Sequence, residues 1–295
     1  MFSVLDMFTI GVGPSSSHTV GPMCAAQAFA SSLEESGAVS RVGRIRVVLY
    51  GSLSLTGLGH GTDRAILAGL EGNVPATVDT DYLLSVRERC AHDGTIHVNG
   101  TNAIAYDDDG DMVFDRWKRL APHPNGMRFQ AFDAQGNIID EQVWYSIGGG
   151  FIRRGRIDDA LISNHEQTPA SSQPPKDSGN DETAEYGDGV PYPFVSCDGL
   201  IDLCRKHHLS IADVVWANET ARRSPQEVRD RLTRIWNVMS HCIDAGCASA
   251  TPTLPGGLDV PRRAPMMYRR LAANSDVLRR DRRISSALES YDSAW

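Results

Sequence analysis

Arg44-Ile45-Arg46-Val47-Val48-Leu49-Tyr50, running into Gly51-Ser52 and then Gly57-Leu58-Gly59-His60-Gly61-Thr62-Asp63, decides the architecture of this chain. Ile45, Val47 and Leu49 alternate with Arg46, Val48 and Tyr50, and the second set is only partly polar. That pattern predicts a strand over Arg44 to Ser52 with both faces covered. The glycine-rich loop is followed by a helix. Thr62 is placed to cap its first amides, Asp63 suits the positive end of its dipole, and Ile66, Leu67 and Leu70 form its buried stripe before Gly72. Strand, glycine loop and helix in succession predict an α/β fold.

The neighbouring segments extend this plan. A helix is expected after Thr19, because Pro22 is tolerated in a first turn and Met23, Ala26, Ala30 and Leu33 recur at helical spacing until Gly37. Met127, Phe129 and Ala131 alternate on one arm of a predicted antiparallel pair, and Val143, Tyr145 and Ile147 on the other. The turn falls near Ala134 to Asn137. Gly148-Gly149-Gly150 reads as a turn or a close backbone contact, since no helix signal follows that would bind a phosphate.

From Asn164 to Gly189 the chain is rich in Ser, Pro, Gly and acids, with little to bury, and a disordered linker is expected. Beyond it the signals are helical. Ser210 with Asp213 caps one helix, and Ser224-Pro225-Gln226-Glu227 starts another. Val228, Leu232, Ile235, Trp236, Met239, Cys242 and Ile243 fit one face of that second helix, so Cys242 is expected in a core. The organisation expected is an α/β domain over residues 1–163, a linker over 164–189, and an all-helical region over 190–295.

Bulk properties narrow the classes. The chain has 295 residues, 41% hydrophobic and 22% charged, as expected of two globular domains. A formal net charge of −8 argues against a general nucleic-acid binder, which needs a concentrated basic surface. The first residues show no secretory signal and no run reaches membrane-spanning length, so a cytoplasmic protein is expected. Six cysteines, at 24, 90, 197, 204, 242 and 247, lack zinc-site or disulfide-framework spacing and read as free thiols. Asp107-Asp108-Asp109-Gly110-Asp111 lacks the glutamate spacing of a calcium loop and reads as a solvated acidic turn.

Two loops carry residues suited to chemistry. Gly13-Pro14-Ser15-Ser16-Ser17-His18-Thr19 sets three serines, a histidine and a threonine before a helix, where unpaired amides attract an anion such as a substrate carboxylate. Serine hydroxyls add donors, and His18 titrates near neutrality. The second loop has the same grammar, with His60 between glycines that let a ligand approach the backbone. Each loop has a structural reading, as a helix cap or a surface histidine. Two histidines at two helix mouths favour a shared site. There is no Gly-x-Ser-x-Gly elbow and no phosphate-binding loop of the nucleotide-hydrolase type.

Several segments together carry a family resemblance: Val4-Leu5-Asp6-Met7-Phe8, GPSSSHTVGPM at 13–23, YGSLSLTGLGHGTD at 50–63, NGMRFQAF at 125–132, WYSIGGGF at 144–151, VPYPF at 190–194 and LPGGLDVPRRAP at 254–265. The chain resembles the bacterial single-chain iron–sulfur L-serine dehydratases along nearly its whole length. The resemblance implies an α/β domain of the family's β type, a linker and an all-helical domain of its α type. It implies conversion of L-serine to pyruvate and ammonia without pyridoxal phosphate. A [4Fe-4S] cluster would act as Lewis acid on the leaving hydroxyl while a base removes the α-proton. By matching position, Ser15, Ser16, Ser17 and Thr19 would bind substrate. Either His18 or His60 would transfer the proton, and the choice stays open.

In one respect the sequence departs from the family pattern. The family's cluster cysteines follow two segments downstream of VPRRA that are absent here, and residues from about Arg279 to Trp295 no longer track the family. None of the six cysteines matches a cluster-ligand motif. The helical domain is therefore expected to be incomplete and the chain alone to hold no cluster, so that activity needs the missing downstream residues. The expected partners are L-serine and either a second copy of the chain or a complementing helical subunit. Exposed apolar stripes on such a domain would make it poorly soluble or partner-dependent. The alternative is a non-catalytic serine-binding or subunit-interaction remnant.

Overall fold

The structure is a computed structural model that describes residues 3–164, 189–254 and 260–272. Its residues fall into two compact units. One runs from Asp6 through the last strand before the linker; the other combines Ser3–Leu5 with the chain from Gly189 onward. Residues 165–188 of the expected linker and the residues from Arg279 to Trp295 lie outside the described residues, as do residues 255–259 of the LPGGLDVPRRAP segment.

In the first unit the strands are β1 Arg44–Tyr50, β2 Thr95–Val98, β3 Asn102–Ala105, β4 Met112–Asp115, β5 Lys118–Leu120, β6 Gly126–Phe132, β7 Ile138–Gly148, β8 Phe151–Arg154 and β9 Leu161–Ser163. The helices are α1 Gly21–Glu35, α2 Gly51–Thr56, α3 Thr62–Leu70, α4 Thr80–Asp93 and the single turn α5 Asp108–Asp111. Seven strands form one mixed sheet in the order β2-β3-β1-β6-β7-β8, with β4 also pairing with β1. β1 runs parallel to β3 and β4 and antiparallel to β6. β5 and β9 make a separate two-stranded ribbon.

The alternation in β1 has the predicted consequence. Ile45, Val47 and Leu49 enter the main core with Phe29, Ala30 and Leu33 of α1, Ile66 and Leu70 of α3, and Phe129 of β6. Val48 and Tyr50 point the other way, into a second cluster with Leu120, Val143 and Tyr145. Both faces of the strand are therefore covered, which explains why the second set of side chains is only half polar. Phe29 and Phe129 stack across the main core with ring centroids 5.3 Å apart. The hairpin is also where the sequence puts it. β6 and β7 pair from Gly126↔Tyr145 to Phe132↔Ile138, and Asp133 Oδ1 accepts the Gln135 and Asn137 amides inside the turn.

Three local expectations need correction. β1 stops at Tyr50 rather than Ser52, because Gly51 takes φ +57° and turns the chain directly into α2. Thr62 does not cap α3: Gly61 is the N-cap residue, and the Thr62 hydroxyl donates instead to the His18 carbonyl. The acidic run at 107–111 is only in part a solvated turn, with Asp107 and Asp109 exposed. Asp111 is 1% exposed and accepts from Arg44, while Asp108 takes the Arg87 guanidinium and the Tyr106 hydroxyl. At the far end of α3, burial works against the Glu71 carboxylate. Hydrogen bonds from Tyr82, Arg89 and the His97 amide outweigh burial and hold the group below its usual range.

Gly51 is the tightest point of the turn, since a Cβ there would lie 2.2 Å from the Pro124 carbonyl oxygen. Left-handed backbone costs an L side chain about 1–2 kcal/mol, and relieving such a clash costs about 1–3 kcal/mol more. Gly51→Ala is thus expected to lower unfolding stability by about 2–5 kcal/mol in urea titration. A loss below about 1 kcal/mol would show that the turn relaxes freely.

The second unit is helical: α6 Cys197–His207, α7 Ile211–Thr220, α8 Pro225–Ala248 and α9 Ala264–Ala272, with a lone bridge between Thr253 and Pro261. Ser210 and Asp213 form the reciprocal capping box read from the sequence, and Ser224 caps α8 through the Glu227 amide. Asn218, 4% exposed, grips the Tyr192 backbone from both sides at 2.9 and 2.8 Å. Glu219 accepts from Ser3 Oγ, the Val4 amide and Arg223, each at 2.8 Å.

The expected apolar stripe of α8 is present but mostly uncovered. Val228 is buried, whereas Trp236 is 60% and Ile243 57% exposed, and Cys242 lies at the surface instead of in a core. Helical periodicity identifies the side that is apolar. It does not supply the element that covers it, and no described element does.

Candidate functional site

The site lies where three short segments of the first unit meet. Ser15 caps the turn Ser16–Val20, its hydroxyl accepting the His18 amide at 3.1 Å, and the chain passes directly into α1. The Gly13–Pro14 peptide ahead of it is cis. This turn meets the Leu58–His60 turn through two threonines, which donate in opposite directions. Thr19 Oγ1 donates to the His60 carbonyl at 2.8 Å, and Thr62 Oγ1 donates to the His18 carbonyl. Each histidine's backbone is thus fastened by a buried threonine on the other loop, Thr19 being 1% and Thr62 0% exposed.

The result is a pair of imidazoles with ring centroids 4.9 Å apart and planes tilted by 44°. His60 Nδ1 lies 2.9 Å from the Thr56 carbonyl. A carbonyl oxygen only accepts, so Nδ1 carries the proton and the lone pair of neutral His60 sits on Nε2. His18 Nδ1 lies 2.9 Å from Ser17 Oγ, and its Nε2 lies 3.0 Å from Ser52 Oγ. Burial, followed by the neighbouring His60, pushes His18 below the usual imidazole range, with hydrogen bonding at Ser52 acting the other way. His18 is therefore neutral at neutral pH.

All the residues singled out from sequence come together here, in different surroundings. Ser15 and Ser17 are half-buried and 3.4 Å apart through their hydroxyls, while Ser16 is exposed. The Thr19 hydroxyl receives the Ser15 amide at 3.3 Å and gives its only proton to His60. Gly148, Gly149 and Gly150, all at positive φ, form the β7–β8 turn. They leave so little room that a Cβ on Gly150 would meet Val20 Cγ1 at 2.9 Å.

Sequence reasoning missed Ser52, although it was inside a quoted motif. The available signal was its position at the carboxyl end of a central strand, where α/β sheets place ligands. It also missed the His123–Asn125 loop. The Pro124 carbonyl there accepts the Ser52 amide at 2.9 Å, and Asn125 Nδ2 donates to the Ser146 carbonyl at 3.1 Å.

The donor set does not suit a metal cluster. The cysteines are all free; Cys90 is packed in the main core, and burial pushes its thiol up to about 11. Among the described residues, no three His, Cys, Asp or Glu side chains converge as a metal-holding group. Also among the described residues, no helix is long and apolar enough to cross a membrane.

A mixed α/β unit with paired histidines on hydroxyl-rich loops, followed by a helical unit, defines the class of protein. The family model for the serine dehydratase beta chain matches residues 3–156, and that for the serine dehydratase alpha chain matches residues 206–291. The chain belongs to the serine dehydratase family. It is 41% identical over 274 residues to the L-serine dehydratase of Streptomyces coelicolor, covering 93% of this chain and 56% of the relative. L-serine dehydratase 1 of Escherichia coli K12 is 38% identical over 285 residues, covering 95% of this chain and 56% of the relative. The L-serine dehydratase of Haemophilus influenzae is 36% identical over 278 residues, with 94% and 56% covered. The chain thus spans about half the length of the curated relatives it matches.

Proposed function

We propose that the first unit binds L-serine between the two histidine loops and supplies the proton-transfer half of its conversion to pyruvate and ammonia. The histidine pair, held 4.9 Å apart at the mouth of the hydroxyl-rich turn, carries this reading. Ser16 presents its exposed hydroxyl to the carboxylate, while Ser15 and Ser17, whose hydroxyls lie 3.4 Å apart and lead on to His18, shape the turn that holds it. Thr19 acts through His60, because its proton is already committed to the His60 carbonyl.

His60 Nε2 is the base that takes the α-proton, its lone pair being fixed by the Nδ1–H bond to Thr56. Loss of the β-hydroxyl as water leaves an enamine, which tautomerises and is hydrolysed to pyruvate and ammonia. A [4Fe-4S] cluster would supply the Lewis acid for the departing hydroxyl. Among the described residues no set of cluster ligands converges, and the steps assigned to this chain are binding and proton transfer. The separate placement of the cysteines, Cys90 in the main core and Cys242 at the surface, favours a second reading, a subunit that binds serine without turning it over.

Calorimetry with L-serine, paired with a pyruvate assay after anaerobic supply of ferrous iron and sulfide, separates these readings. The chain is expected to bind L-serine. Ser16→Ala should weaken binding about 10–100-fold, the worth of a hydrogen bond to a charged group. Binding without pyruvate supports the second reading, and absence of binding overturns both.

A further inference from the structure

Helix α2 connects the two imidazoles at its opposite ends. Near its start, Ser52 Oγ meets His18 Nε2 at 3.0 Å; at its end, the Thr56 carbonyl accepts from His60 Nδ1 at 2.9 Å. The two ends are tied together, since Thr56 Oγ1 donates to the Ser52 carbonyl at 2.9 Å. The start of the helix is anchored as well. The Ser52 amide donates to Pro124 O at 2.9 Å, where the glycine at 51 allows that carbonyl to approach. Ser52 thus has a fixed backbone and a side chain aimed at a ring nitrogen.

One continuous run of donors satisfies the hydrogen bonds around His18. Ser15 Oγ accepts the His18 amide and keeps its own proton, which in this arrangement it donates toward Ser17 Oγ, 3.4 Å away. Ser17 can then donate to His18 Nδ1. With Nδ1 accepting, the neutral ring carries its proton on Nε2 and gives it to Ser52. We propose that Ser52 is a positioning residue that fixes His18 as the Nε2–H tautomer, with α2 setting the spacing between the two histidines. The Ser52 hydroxyl proton then points away from the ring and is available to an anionic oxygen of a ligand between the loops. This deepens the serine-binding reading and rests on it for its consequence, but not for its geometry.

The test reads the ring directly. In ¹⁵N-histidine-labelled chain without substrate, long-range ¹H–¹⁵N correlation spectra report which nitrogen of His18 is protonated. Wild type is expected to show the Nε2–H pattern for His18 and the Nδ1–H pattern for His60. Ser52→Ala should convert His18 to a mixture of tautomers and lower its titration midpoint, with the His60 pattern unchanged. Ser52→Thr, which keeps the hydroxyl, should restore the wild-type His18 spectrum. An Nδ1–H pattern for His18 in wild type overturns the proposal, and this readout stands even if Ser52→Ala does not fold. An unchanged His18 spectrum in folded Ser52→Ala also overturns it. Calorimetry on the same samples keeps the two readings apart, since serine binding can fail while the tautomer result holds, and the reverse.

Discussion

Arg87→Met is expected to destabilise the chain by about 3–5 kcal/mol, the cost of leaving a buried carboxylate without its counter-ion. On α4, Arg87 spans two acids. Its Nε and Nη2 hold Asp108 at 3.0 and 2.8 Å, and its Nη1 holds Asp63 in the first turn of α3. Asp63 is 3% exposed, and among the described residues its Oδ1 has no hydrogen-bond partner, so water does not readily replace the guanidinium. Asp108 would suffer less, being partly exposed and also held by the Tyr106 hydroxyl at 2.7 Å. The arginine hydrogen bond is the main reason the Asp108 carboxyl stays below its usual range. Asp63 directly follows Thr62, the residue fastened to the His18 carbonyl, so the loss reaches the site. Urea titration should show a lower midpoint at constant slope, and adding Asp63→Asn should recover part of the loss. A loss under about 1 kcal/mol would mean that the bridge is solvated and of little consequence.

His60→Ala should lower pyruvate formation by about 10²–10⁴-fold in a preparation that turns serine over, the usual contribution of one general base. That factor corresponds to about 3–5 kcal/mol of transition-state stabilisation. The fold should tolerate the change, because His60 is half-buried and, among the described residues, its ring makes one hydrogen bond, to the backbone of Thr56. L-serine affinity should stay within about threefold, since the serine hydroxyls rather than His60 are assigned to the carboxylate. His18→Ala is expected to be different, raising the apparent dissociation constant as well, because its ring is tied to Ser17 and Ser52. Normal turnover in His60→Ala would remove it as the base. An equal fall in affinity and turnover would recast it as a binding group.

Much of the frame was legible in the sequence because short-range physics decides it. Alternation in Ile45–Tyr50, the hairpin at 126–148 and the Ser210–Asp213 box each depend on neighbours within one strand, turn or helix end. Two of the readings that failed depended on competition between a local partner and a distant one. Thr62 has the right chemistry to cap α3, but its one proton goes to His18, 44 positions away. The acids at 107–111 resemble a solvated turn until Arg44 and Arg87 arrive from other elements.

Residue pattern alone is enough to establish that the chain is α/β and then helical, and that two histidines stand at two hydroxyl- and glycine-rich loops. Tertiary packing brings these two loops side by side, by crossing threonine hydrogen bonds between them. It also decided which nitrogen of His60 is open and that Ser52 belongs with His18. Those outcomes depend on which donors and acceptors meet across long stretches of chain, and hydrogen-bond direction is fixed only once the partners are in place.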